Sequence, residues 1–202
     1  MKRTYASRCS LALTALVAIV AISTPAAARA DPQAGKKIAD AVCAACHGPD
    51  GNPPEGTPFP VLAQQTKPYL VAELRAFKEG HRDDPLMSPL AKQLSPDDIK
   101  NVSDFFAAQK HRSIAFKADA ARVERGAHKA ATALCTTCHL PELSGQNEFP
   151  RLAGQVPDYT IKQLNDFKAK KRTNDGGIMS GLVQTLSEED IVDLAHYIGS
   201  LH

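Results

Sequence analysis

The chain has 202 residues, 43% of them hydrophobic and 23% charged, with five Cys, three Met, no Trp and a formal net charge of +2. Four of its 24 basic residues and none of its 22 acidic ones fall within residues 1–30, so the remainder carries 20 against 22 and the balance gives no ground for nucleic-acid binding. No stretch beyond residue 30 has the roughly 20 apolar residues that cross a bilayer as a helix.

Residues 1–30 read as a secretory signal peptide. Lys2, Arg3 and Arg8 form its charged start, Leu11 to Ile22 its apolar stretch, and Ala28-Arg29-Ala30 an A-x-A cleavage site. The alternative, an uncleaved N-terminal anchor, asks more of twelve apolar-rich residues than a span of about 20 allows. Export removes Cys9, and the four remaining Cys all lie in two C-x-x-C-H units. None is left for structural disulfides, the usual staple of a small exported domain.

A helix is expected from about Ala34 into Cys43-Ala44-Ala45-Cys46-His47, and its partner from about Asp119 into Cys135-Thr136-Thr137-Cys138-His139. C-x-x-C-H is the spacing of c-type haem attachment. Thiols three positions apart share one helical face, and the residue four along lies beside the first. Both sulfurs can then bond the vinyl groups of one porphyrin while the imidazole reaches its iron. The expected cofactors are two covalent haem c groups, one per copy. A lone C-x-x-C would also fit a redox dithiol or half of a zinc site.

The motifs belong to a longer internal repeat. His47 and His139 are 92 positions apart. Phe59-Pro60, Leu62-Ala63, Gln65, Tyr69, Leu74 and Phe77 recur 90 positions later, and Met87, Leu94-Ser95, Ile99 and Phe105 answer to Met179, Leu186-Ser187, Ile191 and Tyr197 at 92 again. Two copies are too few for a solenoid and read as one domain duplicated in tandem. Residues 31–110 form the first expected domain, 111–118 a linker and 119–202 the second. Domains this small bury only about 60% of their unfolded surface, so a buried porphyrin would be part of each core.

Each copy reads as all-α. A second helix begins near Pro68 or Pro157, with Val71, Leu74 and Phe77 answered by Ile161, Leu164 and Phe167 on one stripe. The last begins after Ser95 and Ser187, each a helix-capping residue followed by acids. Its buried face is expected to be Ile99, Val102 and Phe106, or Ile191, Leu194 and Ile198. Gly48 to Pro60 and Asp175 to Gly181 read as loops.

Met87 and Met179, the only Met beyond residue 1, each lie 40 residues after the motif His. A thioether is a soft axial partner of His in c-type sites, where it raises the reduction potential; the alternative is gap-filling in the core. The expected metal ligands are His47, Met87, His139 and Met179, and the cofactor-binding set adds Cys43, Cys46, Cys135 and Cys138. His81, a rival ligand, is matched by Lys171 and reads as solvent-exposed. The backbone oxygens of Pro60 and Pro150 are the expected acceptors for the second N–H of each imidazole. Tyr69 and Tyr159 would either bond a haem propionate or cap the pocket, or pack in the core with a wet hydroxyl. Lys168, Lys170, Lys171 and Arg172 read as a solvated helix end, with a docking patch as the alternative. His111, His128, His196 and His202 have no counterparts and receive no role.

These residues resemble a family. Cys43-Ala-Ala-Cys46-His47-Gly48, Phe59-Pro60-Val-Leu62-Ala63, Met87 and their second copies, including Phe149-Pro150-Arg-Leu152-Ala153-Gly154-Gln155, are similar to dihaem cytochromes c of the cytochrome c4 type, two class I cytochrome c domains in tandem. The resemblance covers the chain after residue 30. It implies two helical domains, each wrapped around a covalent haem, facing each other across a pseudo-twofold contact with propionates nearby. It also implies a monomeric periplasmic protein that passes single electrons between redox protein donors and acceptors, commonly from a quinol–cytochrome c oxidoreductase towards a terminal oxidase. Peripheral contact with a membrane stays open. Gln64 stands where the second copy has Gly154, and Leu140 where the first has Gly48.

With both axial positions filled, the expected activity is electron transfer and not catalysis. An enzyme of the dihaem peroxidase kind would need one open or labile iron position, and the equal spacing of the two Met marks neither site as such. The alternative, an electron-accepting subunit of a periplasmic dehydrogenase, is excluded by none of these residues.

Overall fold

The structure, a computed structural model, describes Met1 and residues 31–202. The expected signal peptide and Cys9 therefore fall almost wholly outside the described residues. Among the described residues the secondary structure is helical, with one isolated bridge between Gln146 and Phe149 and no strand.

In the first copy α1 (Pro32–Ile38) is capped by the Asp31 carboxylate, which accepts from the Gln33 and Ala34 amides. A wide π turn, Ala39–Cys43, carries it into α2 (Ala44–His47), so helix and motif are continuous as expected. Next come α3 (Lys67–Glu79), closed by left-handed Gly80, then α4 (Met87–Gln93) and α5 (Pro96–Ala107). The second copy supplies α6 (Ala120–Thr132), α7 (Cys135–His139), α8 (Pro157–Lys168), α9 (Ile178–Leu182) and α10 (Glu188–Ser200). Here the helix does not run unbroken into the motif: Leu134, at φ 58°, turns the chain left-handed between α6 and α7.

Ser95 and Ser187 cap α5 and α10, and each forms a reciprocal box with the acid three residues on, Asp98 or Asp190. Both expected apolar faces are buried, from Ile191 at 0% exposure to Ile198 at 4%. One expected loop is corrected. Residues 178–181 of the Asp175–Gly181 stretch are helical, and Met87 likewise opens a helix, because Asp84 and Asp175 fold back to accept amides of the following turn.

The first and last helices of each copy cross in contact, α1 on α5 and α6 on α10. Glycine permits this. A Cβ on Gly35 would lie 2.2 Å from the Asn101 carbonyl oxygen, and one on Gly126 only 2.1 Å from that of Asp193. One small core forms around Ala39, Leu70, Val102 and Phe106, a second around Ala130, Phe167, Val183, Leu186, Ile191 and Leu194.

Residues 111–118 carry no helix but are fastened down. His111 Nε2 lies 3.3 Å from the Gly154 carbonyl oxygen, Ser113 Oγ lies 3.0 Å from His202 Nδ1, and Phe116 packs edge-on against His196 at 5.0 Å. His196 Nδ1 accepts from the Asp119 amide. Three histidines without a role in the sequence thus moor this segment to the second copy.

Candidate haem sites

His47 and His139 are buried, at 5% and 6% exposure. Their Nδ1 atoms lie 3.0 Å from the Pro60 oxygen and 2.8 Å from the Pro150 oxygen, the acceptors expected from the sequence. A carbonyl can only accept, so each Nδ1 carries the proton and each Nε2 is left as the lone-pair donor. Burial lowers both imidazole pKa values, opposed in part by the carbonyl bond, which keeps the rings neutral as a metal ligand must be. Phe59 and Phe149 set their edges against the rings, with centroids 6.1 and 6.4 Å away.

The four motif cysteines are half-buried, and none pairs in a disulfide. Burial pushes the Cys43 thiol up to about 11 and also raises that of Cys135, so before attachment neither ionises readily. Cys135 and Met179 lean on the same core cluster, which brings motif and Met together in the second copy. In the first, Cys43 leans on a cluster that does not include Met87; half-buried Met87 opens α4, which packs on α3. The strongly exposed large apolar residues Leu86, Leu134 and Ile178 stand next to Met87, Cys135 and Met179, with Val42 next to Cys43. His81 is exposed, as expected.

Among the described residues no three His, Cys, Asp or Glu side chains converge as a bare-ion site. Each copy offers instead one imidazole nitrogen and one thioether, donors suited to an iron whose other ligands come with a porphyrin, and two thiols suited to bonding that porphyrin's vinyl groups. Arg151 Nε is buried without a partner, and desolvation lowers the guanidinium pKa; a haem carboxylate would satisfy it. The residues fit haem c.

The contact between the copies was not legible beforehand. Gln155 accepts from the Val61 amide (2.8 Å) and donates to the Val61 oxygen (3.1 Å), while Gln65 does the same to Arg151 (2.7 and 2.9 Å). Each glutamine thus clasps, strand-like, the backbone of the opposite copy.

Beside this clasp Arg82 donates to Glu73, to the Tyr159 hydroxyl (3.1 Å) and to Gln163 (2.7 Å). Arg172 donates to Gln163 (2.8 Å), to the Tyr69 hydroxyl (3.1 Å) and to Glu73 (2.7 Å). Each guanidinium stacks at 4.4 Å on a phenylalanine of its own copy, Phe77 or Phe167. Burial works against both cations, but the oxygens of the two tyrosines and Glu73 outweigh it and hold their pKa values up. Burial likewise pushes Tyr69 up to about 12.

Two sequence expectations are corrected here. Each tyrosine hydroxyl accepts from the arginine of the opposite copy, a partner the sequence did not name. Arg172 is buried at 7% exposure and Lys168 donates to the Leu186 oxygen, so only Lys170 and Lys171 are a solvated end. Aliphatic stems and stacked guanidiniums bury readily once their donors are paired, which a run of charges cannot reveal.

A family model described as cytochrome c matches twice, over residues 32–110 and 123–202. Cytochrome c4 of Pseudomonas aeruginosa is 38% identical over 201 residues, covering 94% of this chain and 98% of the relative. The thiosulfate dehydrogenase electron acceptor of Stutzerimonas stutzeri is 32% identical, over 84% of this chain and 83% of the relative. The crystal structure of reduced recombinant cytochrome c4 from Pseudomonas stutzeri superposes with a TM-score of 0.79 at 38% identity, covering 86% of this chain and all of that one. With two repeated C-x-x-C-H motifs and two cytochrome c family matches, the chain belongs to the cytochrome c4 family of electron carriers and carries two covalent haem c groups.

Proposed function

We propose that this protein is a periplasmic shuttle that carries single electrons from a respiratory donor, such as a quinol–cytochrome c oxidoreductase, to an acceptor such as a terminal oxidase. Cys43 and Cys46, and Cys135 and Cys138, hold the two groups by thioether bonds; His47 with Met87, and His139 with Met179, are the axial ligands. Residues 31–110 and 119–202 are the two units and 111–118 their linker. When bound, each haem c supplies a reversible one-electron couple.

The chain's own residues do the rest. Pro60 and Pro150 fix the tautomer and direction of each imidazole, so the ligand field need not reorganise with oxidation state. Phe59 and Phe149 stand edge-on to the buried imidazoles and help keep water from them. Asp84 and Asp175 shape the turns that present the two Met. The charged start, apolar stretch and A-x-A site of residues 1–30 support export.

The observation that carries this reading is the pair of buried imidazoles at the same register, each with Nδ1 committed to a proline oxygen. A pyridine haemochrome count on the secreted protein should give two haems per chain. Met87→Ala and Met179→Ala should each change the ferric spectrum of one site. One haem or none, or unchanged spectra, would refute the assignment, and rapid carbon monoxide binding by the reduced wild type would favour an enzyme.

A second reading has its own support in the likeness to a thiosulfate dehydrogenase electron acceptor: the chain would take electrons from a periplasmic dehydrogenase. Co-purification with such an enzyme, against isolation as a free monomer, separates the two.

A further inference from the structure

The contact between the copies repeats in its arginines, tyrosines and phenylalanines but not in its acid. Arg82 and Arg172, Tyr69 and Tyr159, and Phe77 and Phe167 each lie 90 positions apart. At the remaining pair the first copy has Glu73 and the second Gln163. Two buried guanidiniums, both with side chains 8% exposed, therefore share one carboxylate. Glu73 Oε2 takes Arg82 of its own copy, Oε1 takes Arg172 of the other, and Asn174 Nδ2 donates to both oxygens at 3.0 and 3.1 Å. One positive charge is left over, buried between the two sites.

We propose that Glu73 is a positioning residue for electron passage between the two haem sites, the single acid that ties both guanidiniums and hence both copies into one body, and that the surplus charge left by Gln163 biases both sites towards their reduced state. This rests on the carrier reading above. The first part follows from the cost of an unneutralised buried cation: without Glu73 two guanidiniums face each other across the contact with only amide and phenol oxygens to hold them, and the copies separate. The second follows from sign. Reduction adds an electron to each site, and a positive charge in a poorly screened interior favours the more negative state.

The charge can be moved without rebuilding the contact. Both guanidiniums use only Oε1 of Gln163, so a carboxylate there keeps both bonds. The test compares wild type, E73Q, Q163E and E73Q/Q163E as haem-loaded full chains, by haemochrome count, thermal unfolding and potentiometric titration. In E73Q unfolding should split into two transitions and both sites should become easier to reduce. In Q163E the single transition should persist and both should become harder to reduce. For a unit charge acting over about 10–20 Å at an effective dielectric constant of about 20, each shift is about fourfold to fifteenfold in the reduction equilibrium constant. The double variant, with its acid on the other copy, should return both measures to wild type.

If Q163E or E73Q stays within twofold of wild type, or the double variant fails to restore what E73Q lost, the proposal is overturned. Q163E removes no partner and carries the test alone if E73Q is not recovered. Two haems per chain with unshifted potentials would sink this inference and leave the carrier reading standing; fewer than two in the wild type would sink the carrier reading.

Discussion

Replacing Gly126 by Ala would place a Cβ 2.1 Å from the Asp193 carbonyl oxygen and 2.7 Å from Tyr197 Cβ. Ordinary contact begins at 3.4 Å, so α6 and α10 would have to part by about 1.3 Å. The obstacle is helix backbone and cannot swing aside. Overpacking of this kind costs about 1–3 kcal/mol. Parting the helices also strains the Asp193 carboxylate, which takes Arg125 Nε at 2.6 Å and Arg122 Nη1 at 2.9 Å across the same crossing. Against this, Ala gains up to about 1 kcal/mol of helix propensity over Gly. The net expectation is a loss of about 1–2 kcal/mol, or roughly 2–8 °C in the unfolding temperature of a chain this size. Gly181 in α9 is the control: a Cβ there meets nothing within 4 Å, so Gly181→Ala should leave stability unchanged or raise it by up to about 1 kcal/mol. Thermal unfolding of the two haem-loaded variants by circular dichroism decides. A Gly126→Ala protein as stable as wild type would refute the view that this crossing requires glycine.

The remaining predictions concern caps, clasp and acid. Ser187→Ala removes the oxygen that accepts the Asp190 amide at 3.0 Å and should cost about 1 kcal/mol in urea unfolding, with m unchanged. Gln155→Ala strips both bonds from the backbone of Val61, which is 4% exposed; leaving that amide and carbonyl unpaired should cost about 2–4 kcal/mol, and a change below 0.5 kcal/mol would show the clasp to be idle. Asp193 is held below the usual carboxylate range, first by its hydrogen bond from Arg125, with Arg122 adding to this against the cost of burial. Its folded pKa is depressed, so its stabilisation is complete above the unfolded value of about 3.9 and is lost as pH falls through the lower folded value. The gap in unfolding temperature between wild type and Asp193→Asn should accordingly be full at pH 6 and shrink below about pH 4; a constant gap down to pH 3 would contradict this.

Much was legible in one dimension because the relevant physics is local. The spacing of Cys43, Cys46 and His47 is a property of a single helical turn, and its recurrence at Cys135 exposed the duplication. Ser95 and Ser187 announced their helices because a cap acts on amides two or three residues away, and Ile99, Val102 and Phe106 declared a buried face through period alone. Even the Pro60 and Pro150 acceptors could be named, since a short loop must bring its carbonyl back past the ring.

What only tertiary structure decided depends on partners distant in sequence. Gly35 and Gly126 look like weak points in a helix until Asn101 and Asp193 arrive against them. Gln65 and Gln155 recur in the repeat like any surface polar residue, yet each finds a backbone in the opposite copy. Arg172 stands in a basic run, but it is buried, paired with Glu73, 99 positions earlier, and with the Tyr69 hydroxyl. The charge on a residue is written in its name; whether that charge is solvated, paired or left over is determined by which surfaces the fold presses together, and no pattern along the chain encodes that.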